Sequence, residues 1–579
     1  MNLKELEKLR EQSTGRMLPD RAMLTVGMGT CGIGNGAAGI YELLQQAINS
    51  RKLAVELKPV GCFGFCAAEP LVIAYLPGEA LRVYGRVNLK IAKQVLDSLA
   101  EGRFYRRHIL CSIPEWDHHT AFFEYGKAPG NIPVWNDLAF FKGQKKLVLR
   151  NAGFINPESI DDYIAIGGYR SLAHVLEGMR PADVVEEVTA AKMRGRGGAG
   201  FPTGVKWSLM LQQQAPQKYI ICNADEGDPG AYMNRNEIES DPHSVLEGMM
   251  IGAYAMGASL GIAYVRAEYP LAVQRFKLAI EQAAARGLMG DNIMNSGFSF
   301  RCEVVEGAGA FVCGEETALI ASVEGRAGRP APRPPYPAAK GLYGCPTNIN
   351  NVETWCNIPL IIEKGSGWFL QTGTEKSPGT KVFSLVGKVK NTGLVEVPLG
   401  TSLEQFVYDI GEGTGTSKRV KAVQTGGPSG GCIPAAHFKA AVDYESLASL
   451  GAIMGSGGMV VMDQDNCMVD VARYFLEFNS AESCGKCTPC REGLSQALAV
   501  LTRICNGQGT MADLNMLELL SSTIKDTALC GLGQTAPNPI LTTLRYFRHE
   551  YEEHIIEKRC HAGVCERLFM ALCENSCPM

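Results

Sequence analysis

Hydrophobic and polar positions follow two periods in the first hundred residues of this chain. Alternating apolar positions predict strands at Met23 to Gly27, Leu53 to Val60 and Leu71 to Tyr75. Helical spacing predicts a helix at Tyr41 to Ala47 and a closing helix at Ile91 to Leu99. We therefore expect a small α/β module in which a strand, a helix, paired strands and a helix follow one another.

Changes in the pattern divide the rest of the chain. An aromatic and basic stretch without a clear period is interpreted as a linker that packs on its neighbour, and alternating helical and strand patterns after it are typical of an α/β core. The predicted fold class is α/β and multidomain, with these parts: a first module at 1–105, the linker at 106–165, the core at 166–370, a small β-rich module at 371–450, a helical bundle at 451–550 and a cysteine-rich tail at 551–579.

Charge and hydropathy exclude several classes of partner. The 579 residues include 56 basic and 60 acidic side chains, and a net charge of −4 gives no reason to expect nucleic acid or an anionic membrane as partner. The charged first residues contain no apolar core, so no secretory signal is predicted. The longest weakly polar stretch, Gly248 to Val265, is rich in Gly, Ala and Ser and predicts a buried helix and a strand instead of a membrane span. A cytoplasmic location is expected.

Cysteine spacing gives the strongest chemical prediction. The chain has 20 cysteines, and three of them, Cys484, Cys487 and Cys490, form a C-x2-C-x2-C run that is followed by a distant Cys530. One loop with three thiolates and a later segment with a fourth suit the corners of a [4Fe-4S] cubane. Zinc is the main alternative, but zinc sites usually consist of two separated C-x2-C pairs. The sequence therefore predicts a [4Fe-4S] cluster and a chain that transfers electrons.

A glycine-rich loop at 195–204 contains G-x-G-x-x-G. The segment before it, Val184 to Met193, has helical spacing, whereas a Rossmann fingerprint requires a preceding strand. The ordinary Rossmann interpretation therefore fails. Backbone without side chains still allows a phosphate or a flat ring to approach closely, and Arg196 and Lys206 provide positive charge. A purely structural turn is the alternative.

Three further segments combine glycine, acids and amides. Asn223, Asp225, Glu226 and Asp228 follow a strand-like Lys218 to Ile221, at the strand edge where α/β proteins bind ligands. The segments 307–317 and 346–354 add further groups of the same kind. Each acid taken singly has the alternative of a helix cap or a solvated face. Together with the glycine loop and the cluster motif, they predict a ligand site.

These segments and the cluster motif resemble those of the NADH-binding flavoprotein subunit of respiratory complex I and of the diaphorase subunits of NAD-linked hydrogenases and formate dehydrogenases. The resemblance covers roughly residues 165 to 550. The first module, which has the thioredoxin-like order, and the cysteine-rich tail are most similar to the β subunit of electron-bifurcating [FeFe]-hydrogenases. The resemblance also implies that the β-rich module is ubiquitin-like and that the core is Rossmann-like around its cofactors.

The resemblance implies FMN and NAD(H) as cofactors. It places Phe201 and Tyr336 against the adenine, where two aromatic faces can enclose a flat ring, and Asp228 and Glu316 near the nicotinamide. The remaining cofactor-binding residues that it implies are Gly195, Arg196, Gly197, Gly198, Gly200, Lys206, Asn223, Asp225, Glu226, Phe311, Gly314, Glu315, Asn350 and Asn351.

The same resemblance implies the activity. A hydride delivers two electrons together and a cluster accepts one at a time, so a flavin must stand between them, and no side chain need act as a general base. We expect a NAD(H)-oxidoreductase subunit whose partners are a small thioredoxin-like [2Fe-2S] subunit, a terminal catalytic subunit such as a hydrogenase or formate dehydrogenase, and, with electron bifurcation, ferredoxin. The alternatives are a non-bifurcating diaphorase of a formate dehydrogenase, an aromatic-ring reductase or a quinone-linked complex, and, in another class, a regulatory nucleotide-binding scaffold.

The first module departs from the family pattern of C-x4-C followed by C-x3-C. Cys62 and Cys66 form the second pair, but Cys31 stands alone, with Val26 at the place of the missing thiolate. Three thiolates leave one iron of a [2Fe-2S] cluster one ligand short. An altered cluster and a purely structural docking role are both open.

The tail suggests a second metal. Cys467, His554, Cys560 and Cys565 combine thiolates with an imidazole, a zinc arrangement that is similar to a site in bifurcating hydrogenases, with a further cluster as the alternative. Cys573 and Cys577 resemble the end of a ferredoxin motif whose remainder is absent. These two thiols are expected to be vestigial or to meet a partner.

Overall fold

The structure, a computed structural model that describes residues 3–568, begins with a mixed five-stranded sheet. Its strands lie in the order β2-β1-β3-β4-β5, with β1 and β2 parallel and the other neighbours antiparallel. Apolar side chains of two helices cover one face of it. The elements are α1 (Leu3–Ser13), β1 (Ala22–Gly27), α2 (Thr30–Gly34), α3 (Ala37–Arg51), β2 (Val55–Val60), β3 (Val72–Tyr75), β4 (Leu81–Tyr84), α4 (Leu89–Ala100) and β5 (Ile109–Ile113).

The predicted strands and helices of this module are confirmed, and β4 and β5 are additional. β5 lies in the segment interpreted as a linker, which also forms the hairpin of β6 (Glu115–Asp117) and β7 (Phe122–Glu124). Aromatic rings of the same segment pack on the first module, with ring centroids 4.2 Å apart for Phe65 and Phe140. These strands escaped prediction because each has only three to five residues, which is too short for a period of two to be recognised.

The core is a four-stranded parallel sheet in the order β10-β9-β8-β11, covered by helices. Its elements are α5 (Ile160–Ala165), α6 (Arg170–Gly178), α7 (Pro181–Ala190), α8 (Thr203–Leu211), β8 (Tyr219–Ala224), α9 (Met233–Ser240), α10 (Pro242–Met256), β9 (Leu260–Arg266), α11 (Pro270–Ala285), β10 (Arg301–Gly307), α12 (Glu316–Val323), β11 (Thr347–Asn351), α13 (Val352–Lys364) and α14 (Ser366–Phe369).

The strand order reverses between β8 and β11, and that point faces the predicted ligand segments. The register pairs Asn223 with Asn351 at the carboxyl ends of the two strands. In open parallel sheets, ligands bind outside such a reversal because the following loops diverge there. The buried helix and strand predicted at Gly248 to Val265 are α10 and β9. Among the helices of residues 3–568, none is long and apolar enough to cross a membrane.

A third sheet has the order β13-β12-β16-β14-β15. Its elements are β12 (Thr380–Gly387), β13 (Gly393–Pro398), β14 (Val420–Thr425), β15 (Gly431–Pro434), α15 (Tyr444–Ser449) and β16 (Gly458–Asp463). The central strand β16 pairs with both β12 and β14. The β-rich part of the chain therefore continues to Asp463, beyond the boundary that the sequence places at residue 450.

Helices surround the cluster cysteines, as predicted. They are α16 (Met468–Ala481), α17 (Thr488–Cys505), α18 (Met511–Thr527), α19 (Gly531–Thr535) and α20 (Asn538–Glu552). Leu476, Leu494, Leu501 and Leu517 belong to their shared apolar core. The α/β fold class with additional helices is thus confirmed, and Cys573 and Cys577 lie outside the described residues.

A buried carboxylate holds the aromatic segment against the third sheet. Glu396 of β13 accepts hydrogen bonds from the backbone N–H groups of Leu147, Val148 and Leu149, each at 2.9 Å, and from the Thr380 hydroxyl at 2.5 Å. Its side chain is inaccessible to solvent. One side chain therefore satisfies three successive buried backbone donors, which would otherwise be costly.

We expect Glu396→Ala to lower the local free energy of unfolding by about 3 kcal/mol, because three buried N–H groups lose their acceptor. Hydrogen exchange at Leu147, Val148 and Leu149 measures this loss. The exposed Glu404 of the same sheet region provides the control, since Glu404→Ala should change stability by less than about 0.5 kcal/mol. Unchanged exchange rates at the three amides would contradict the assignment.

Candidate functional site

The glycine loop is closed on itself between α7 and α8. The Gly195 N–H donates to the Phe201 carbonyl at 2.9 Å, and α8 begins directly afterwards. Gly198 and Gly200 have φ angles of +118° and +64°, which disfavour other residues. A Cβ atom on Gly200 would lie 2.5 Å from the Tyr444 ring. The preceding helix α7 confirms that the loop lacks a Rossmann context.

The loop forms one wall of a cavity of about 650 Å³ at the reversal point of the parallel sheet. The other walls come from the end of β8, the segment before α12, and the segment from Tyr444 to Ser456. The predicted residues that line this cavity are Gly197, Gly198, Asn223, Asp225, Glu226, Asp228, Phe311, Gly314, Glu315 and Asn351. Four separate sequence segments thus meet, as predicted.

Asp225 is the clearest candidate for a ligand-binding group in this cavity. Both of its carboxylate oxygens are buried and have no hydrogen-bond partner among the described residues. Burial raises the pKa of Asp225 to about 7, although the charge of Arg266 opposes the shift. A buried acceptor of this kind requires a partner, and a ligand with N–H or O–H groups would supply it. The cavity therefore fits a polar aromatic ring system such as that of FMN.

Asp228 shares the cavity but already has a partner. The Ser456 hydroxyl donates to its carboxylate, and burial raises the pKa of Asp228 to about 6. Ser456 belongs to the third sheet region, so this bond fastens that region over the site. The two aspartates therefore differ in role.

Two predicted acids also shape the backbone. Glu226 accepts from the N–H groups of Met233, Asn234 and Arg235 at 2.9, 3.1 and 3.2 Å, which caps α9. Glu315 caps α12 through Thr317 and Ala318 at 2.9 and 3.0 Å. The sequence alternative of a helix cap thus holds for both, although both also border the cavity.

Other predicted residues lie beside the cavity instead of lining it. The buried guanidinium of Arg196 donates to the carbonyls of Arg194 and Pro378 at 2.9 and 2.8 Å, so its charge is directed into the protein. Lys206 pairs with Glu316 and donates to the Ile349 carbonyl at 2.5 Å.

Three more predicted residues complete the surroundings. Asn350 accepts from the Trp207 indole at 3.0 Å and is buried. Phe201 and Tyr336 are 51% and 59% exposed, so both rings are accessible to a ligand. Arg333 lies 6.0 Å from the Tyr336 ring centroid.

Sequence reasoning missed several residues of the site. Tyr444 donates its hydroxyl to the Gly195 carbonyl at 2.9 Å, and Gly455 and Ser456 line the cavity. Asn234 of α9 also lines it. The glycines on both sides of Ser456 could have indicated a second glycine-rich turn. The sequence does not show, however, that this turn packs against the glycine loop at 195–204.

The four cluster cysteines surround a second, smaller cavity. Cys487 and Cys530 directly precede α17 and α19, and both residues line the same space as Cys484 and Cys490. Burial raises the pKa of Cys490 to about 11. Four thiols around one enclosed space suit a cubane cluster.

The two cavities are neighbours. Val312 and Leu532 line both of them. The N–H group of Phe311, which lines the larger cavity, donates to Glu482 at 2.9 Å, two residues before Cys484. Groups held in the two cavities would therefore be separated by this shared wall.

Cys467, His554, Cys560 and Cys565 form a compact buried tetrad. Their ligand atoms all lie within 4.8 Å of one another, which is true of no other such group in residues 3–568. The His554 Nε2 atom lies 3.4 Å from the sulfurs of Cys467 and Cys565, while Nδ1 lies 2.7 Å from the Glu550 carbonyl. A carbonyl that accepts from Nδ1–H leaves Nε2 free for a metal, and three thiolates with one imidazole suit zinc.

The N-terminal cysteines also converge, at the contact with α9. The Cys66 sulfur lies 3.4 Å from the Tyr232 hydroxyl, and the Cys31 sulfur lies 3.5 Å from the Arg235 guanidinium. The Cys62 sulfur lies 3.4 Å from the Glu69 carboxylate. Cys31 and Cys66 thus meet the core beside residues that border its cavity, whereas the Cys62 thiol contacts its own module.

Comparison with known protein families identifies the class. The Nuo51 FMN-binding domain matches residues 188–360, and the NADH-ubiquinone oxidoreductase-F iron-sulfur binding region matches residues 470–554. The two regions contain much of the larger cavity and the cluster cysteines, respectively. The chain therefore belongs to the family of NADH-binding flavoprotein subunits of the complex I 51 kDa type.

Particular relatives refine this picture. The chain is 56% identical to the NADP-reducing hydrogenase subunit HndC of Solidesulfovibrio fructosivorans, over 76% of this chain and 91% of HndC. It is 44% identical to an NADH-quinone oxidoreductase subunit of Rhizobium meliloti (strain 1021), over 72% and 98% of the two chains. A chain of an NAD+-reducing [NiFe]-hydrogenase in the H2-reduced state is similar in structure, with a TM-score of 0.64 and 27% identity over 96% and 90% of the chains.

The environment of Asp225 predicts pH-dependent flavin affinity. Because a ligand that donates to this carboxylate prefers its ionised form, affinity should rise with pH through about 7 and level off above it. We expect Asp225→Asn to weaken FMN binding by about tenfold and to flatten this dependence. Flavin fluorescence on titration into flavin-depleted protein measures both effects.

The exposed Asp291, which pairs with Arg301 at 2.8 Å, provides the control. Asp291→Asn should leave the affinity and its pH profile unchanged. An Asp225→Asn variant with the same profile as the unmodified protein would refute the role.

Proposed function

We propose that this chain oxidises or produces a reduced nicotinamide dinucleotide at the larger cavity and exchanges single electrons with partner subunits through the cluster cavity. The shared wall of Val312 and Leu532 is the observation that supports this proposal most directly. FMN supplies the required chemistry when bound, since it can accept one hydride, which carries two electrons, and pass those electrons on one at a time. The side chains then have to bind the flavin and the dinucleotide, orient the two rings and keep water away from them.

The proposed roles follow from the contacts. Gly197 and Gly198 let the flavin approach the backbone, and Asp225 accepts hydrogen bonds from its ring. Phe201 and Tyr336 are proposed to enclose the adenine of the dinucleotide, because both rings have exposed faces. Glu316, paired with Lys206, and Asp228, bonded to Ser456, are proposed to border the nicotinamide.

The parts of the fold support finer assignments. We propose a thioredoxin-like module for the first sheet, because its order and strand directions follow that pattern. The third sheet is proposed as the ubiquitin-like module, and its segment from Tyr444 to Ser456 closes the flavin cavity. The named relatives, a hydrogenase subunit and a quinone oxidoreductase subunit, support a terminal catalytic partner on a separate chain. Of the two, the higher identity favours a hydrogenase-type partner.

The tetrad of Cys467, His554, Cys560 and Cys565 is proposed as a structural zinc site. It joins the start of α16 to the segment after α20, and all four residues are buried. A closed four-ligand site without an open position is typical of structural zinc. The metal would fasten the end of the described chain to the cluster domain.

Replacing one cluster ligand separates the two halves of the proposed function. We expect Cys487→Ala to lose the iron of the cubane cluster, whereas NADH still bleaches the flavin, since Cys487 does not line the larger cavity. Electron delivery to the partner complex should fall to background. Iron analysis, flavin absorbance and partner reduction are the measurements.

Cys345→Ala, at a partly exposed cysteine outside both cavities, is the matched control. Cubane spectra that survive in Cys487→Ala would refute the cluster assignment, and flavin that NADH does not reduce in the unmodified chain would refute the function. The same iron analysis separates the two roles of Cys31, Cys62 and Cys66. Iron beyond one cubane that disappears on Cys66→Ala supports a cluster, and its absence supports docking alone.

Removing zinc should destabilise the cluster domain. We expect Cys560→Ala to lose the bound zinc and to lower the melting temperature, because metal-binding free energy contributes directly to folding. Metal analysis and thermal denaturation measure the two effects. Cys111→Ala, at a buried thiol of β5 far from the tetrad, is the control. A zinc-free protein with unchanged melting would contradict the proposal.

A further inference from the structure

Glu237 of α9 is a buried acid that the proposed function does not use. Its side chain is 2% exposed, and its Oε1 atom has no hydrogen-bond partner among the described residues. Its other oxygen, Oε2, accepts from the Asn234 amide at 3.1 Å. An acid held in this way needs an explanation, because an ionised buried carboxylate with an unpaired oxygen is costly.

Asn234 connects Glu237 to the flavin cavity. Asn234 lines the cavity, and its carbonyl oxygen accepts from the Asn351 amide at 2.6 Å. Asn351 lines the cavity too. The side-chain amide of Asn234 therefore contacts the Glu237 carboxyl group and also lines the cavity. Only this one side chain separates Glu237 from the cavity along this path, so a charge placed in the cavity would act on Glu237 at close range.

The neighbouring charges do not neutralise Glu237. Lys381 of β12 is the cation that faces this region, and it binds Glu353 of α13 at 2.8 Å. Glu353 also accepts from the Val382 N–H at 2.9 Å, so both oxygens of that acid are paired. Arg196 lies 4.0 Å from Glu353, and the third acid of the region, Glu226, caps α9.

These surroundings raise the proton affinity of Glu237. Burial and the charges of Glu353 and Glu226 raise the pKa of Glu237 well above its ordinary value, and Lys381 and the Asn234 amide oppose the shift only in part. Additional negative charge in the cavity would favour protonation further, because like charges at close range raise proton affinity.

We propose that Glu237 is a redox-linked proton site of the flavin cavity, which binds a solvent proton when negative charge enters the cavity and releases it when that charge leaves. The O–H bond forms on a carboxylate oxygen of Glu237 with a proton from solvent. The electron pair would pass from the reduced nicotinamide to the group held in the cavity, so Glu237 itself is neither oxidised nor reduced. Glu237 does not touch the reacting atoms. It compensates the charge in the cavity from a distance, and Asn234 lies between the two. The inference rests on the proposed function.

The test compares proton uptake on reduction in three proteins. Glu237→Gln keeps the size of the side chain and removes the titration. Glu247→Gln is the control, since Glu247 is equally buried but has partners on both oxygens, namely Tyr163 and the backbone of Tyr169 and Leu172. Flavin content and bleaching by NADH are measured first, because their failure in the unmodified chain would refute the proposed function itself.

The flavin midpoint potential is then followed against pH. Over the range in which Glu237 titrates, we expect Glu237→Gln to take up one proton fewer per electron pair than the unmodified protein and Glu247→Gln to match the unmodified protein. The same slope in all three proteins, with flavin bound and reducible, would overturn only this inference.

Infrared difference spectra keep the test decisive even if Glu237→Gln does not fold. Reduction of the unmodified protein should produce a carboxylic acid C=O band that shifts in D2O and is retained in Glu247→Gln. The absence of such a band in the unmodified protein would overturn the inference.

Discussion

The close contact of two cavities is the constraint on which the rest of the structure depends. Electron exchange through protein requires short distances, and Val312 and Leu532 alone belong to both walls among the described lining residues. The parallel sheet and the helical domain come from distant parts of the sequence, and the Phe311–Glu482 hydrogen bond joins them at this point. The three large sheets and the helical domain can therefore be understood as a framework that holds the two cavities side by side.

Buried and half-buried acids organise the region around this interface. Glu226 and Glu315 hold helix starts, Glu396 holds an irregular segment, and Glu353 is paired with Lys381. Asp225 and Glu237 differ from all of these, because each has an oxygen without a partner among the described residues. The acids whose oxygens all have hydrogen-bond partners maintain the shape of the site. The acids with a free oxygen are available to bind a ligand or a proton.

The sequence predicts the local chemistry better than the long-range contacts. The cluster motif and the glycine loop are recognisable because their spacing is short and chemically constrained, and the helix before the loop is confirmed as helical. The contribution of Tyr444 and Ser456 was not predictable, since it depends on how the third sheet packs over the core. The direction of Arg196 was equally hidden, because a residue type shows its charge but not whether backbone carbonyls already bind it. β16 was missed for a related reason: it lies past a loop, yet pairs at the centre of an earlier sheet.

Helix α9 touches the flavin cavity with Asn234 and the N-terminal module with Glu239, which accepts from the Thr30 N–H at 2.8 Å. Gly61 also packs so tightly that a Cβ atom there would overlap the Ser240 side chain. The first module thus supports the helix that lines the larger cavity. These contacts use a carboxylate, a backbone N–H group and a glycine, and none of them involves a thiol. The mechanical support that the first module gives to α9 is therefore independent of any metal that Cys31, Cys62 and Cys66 hold.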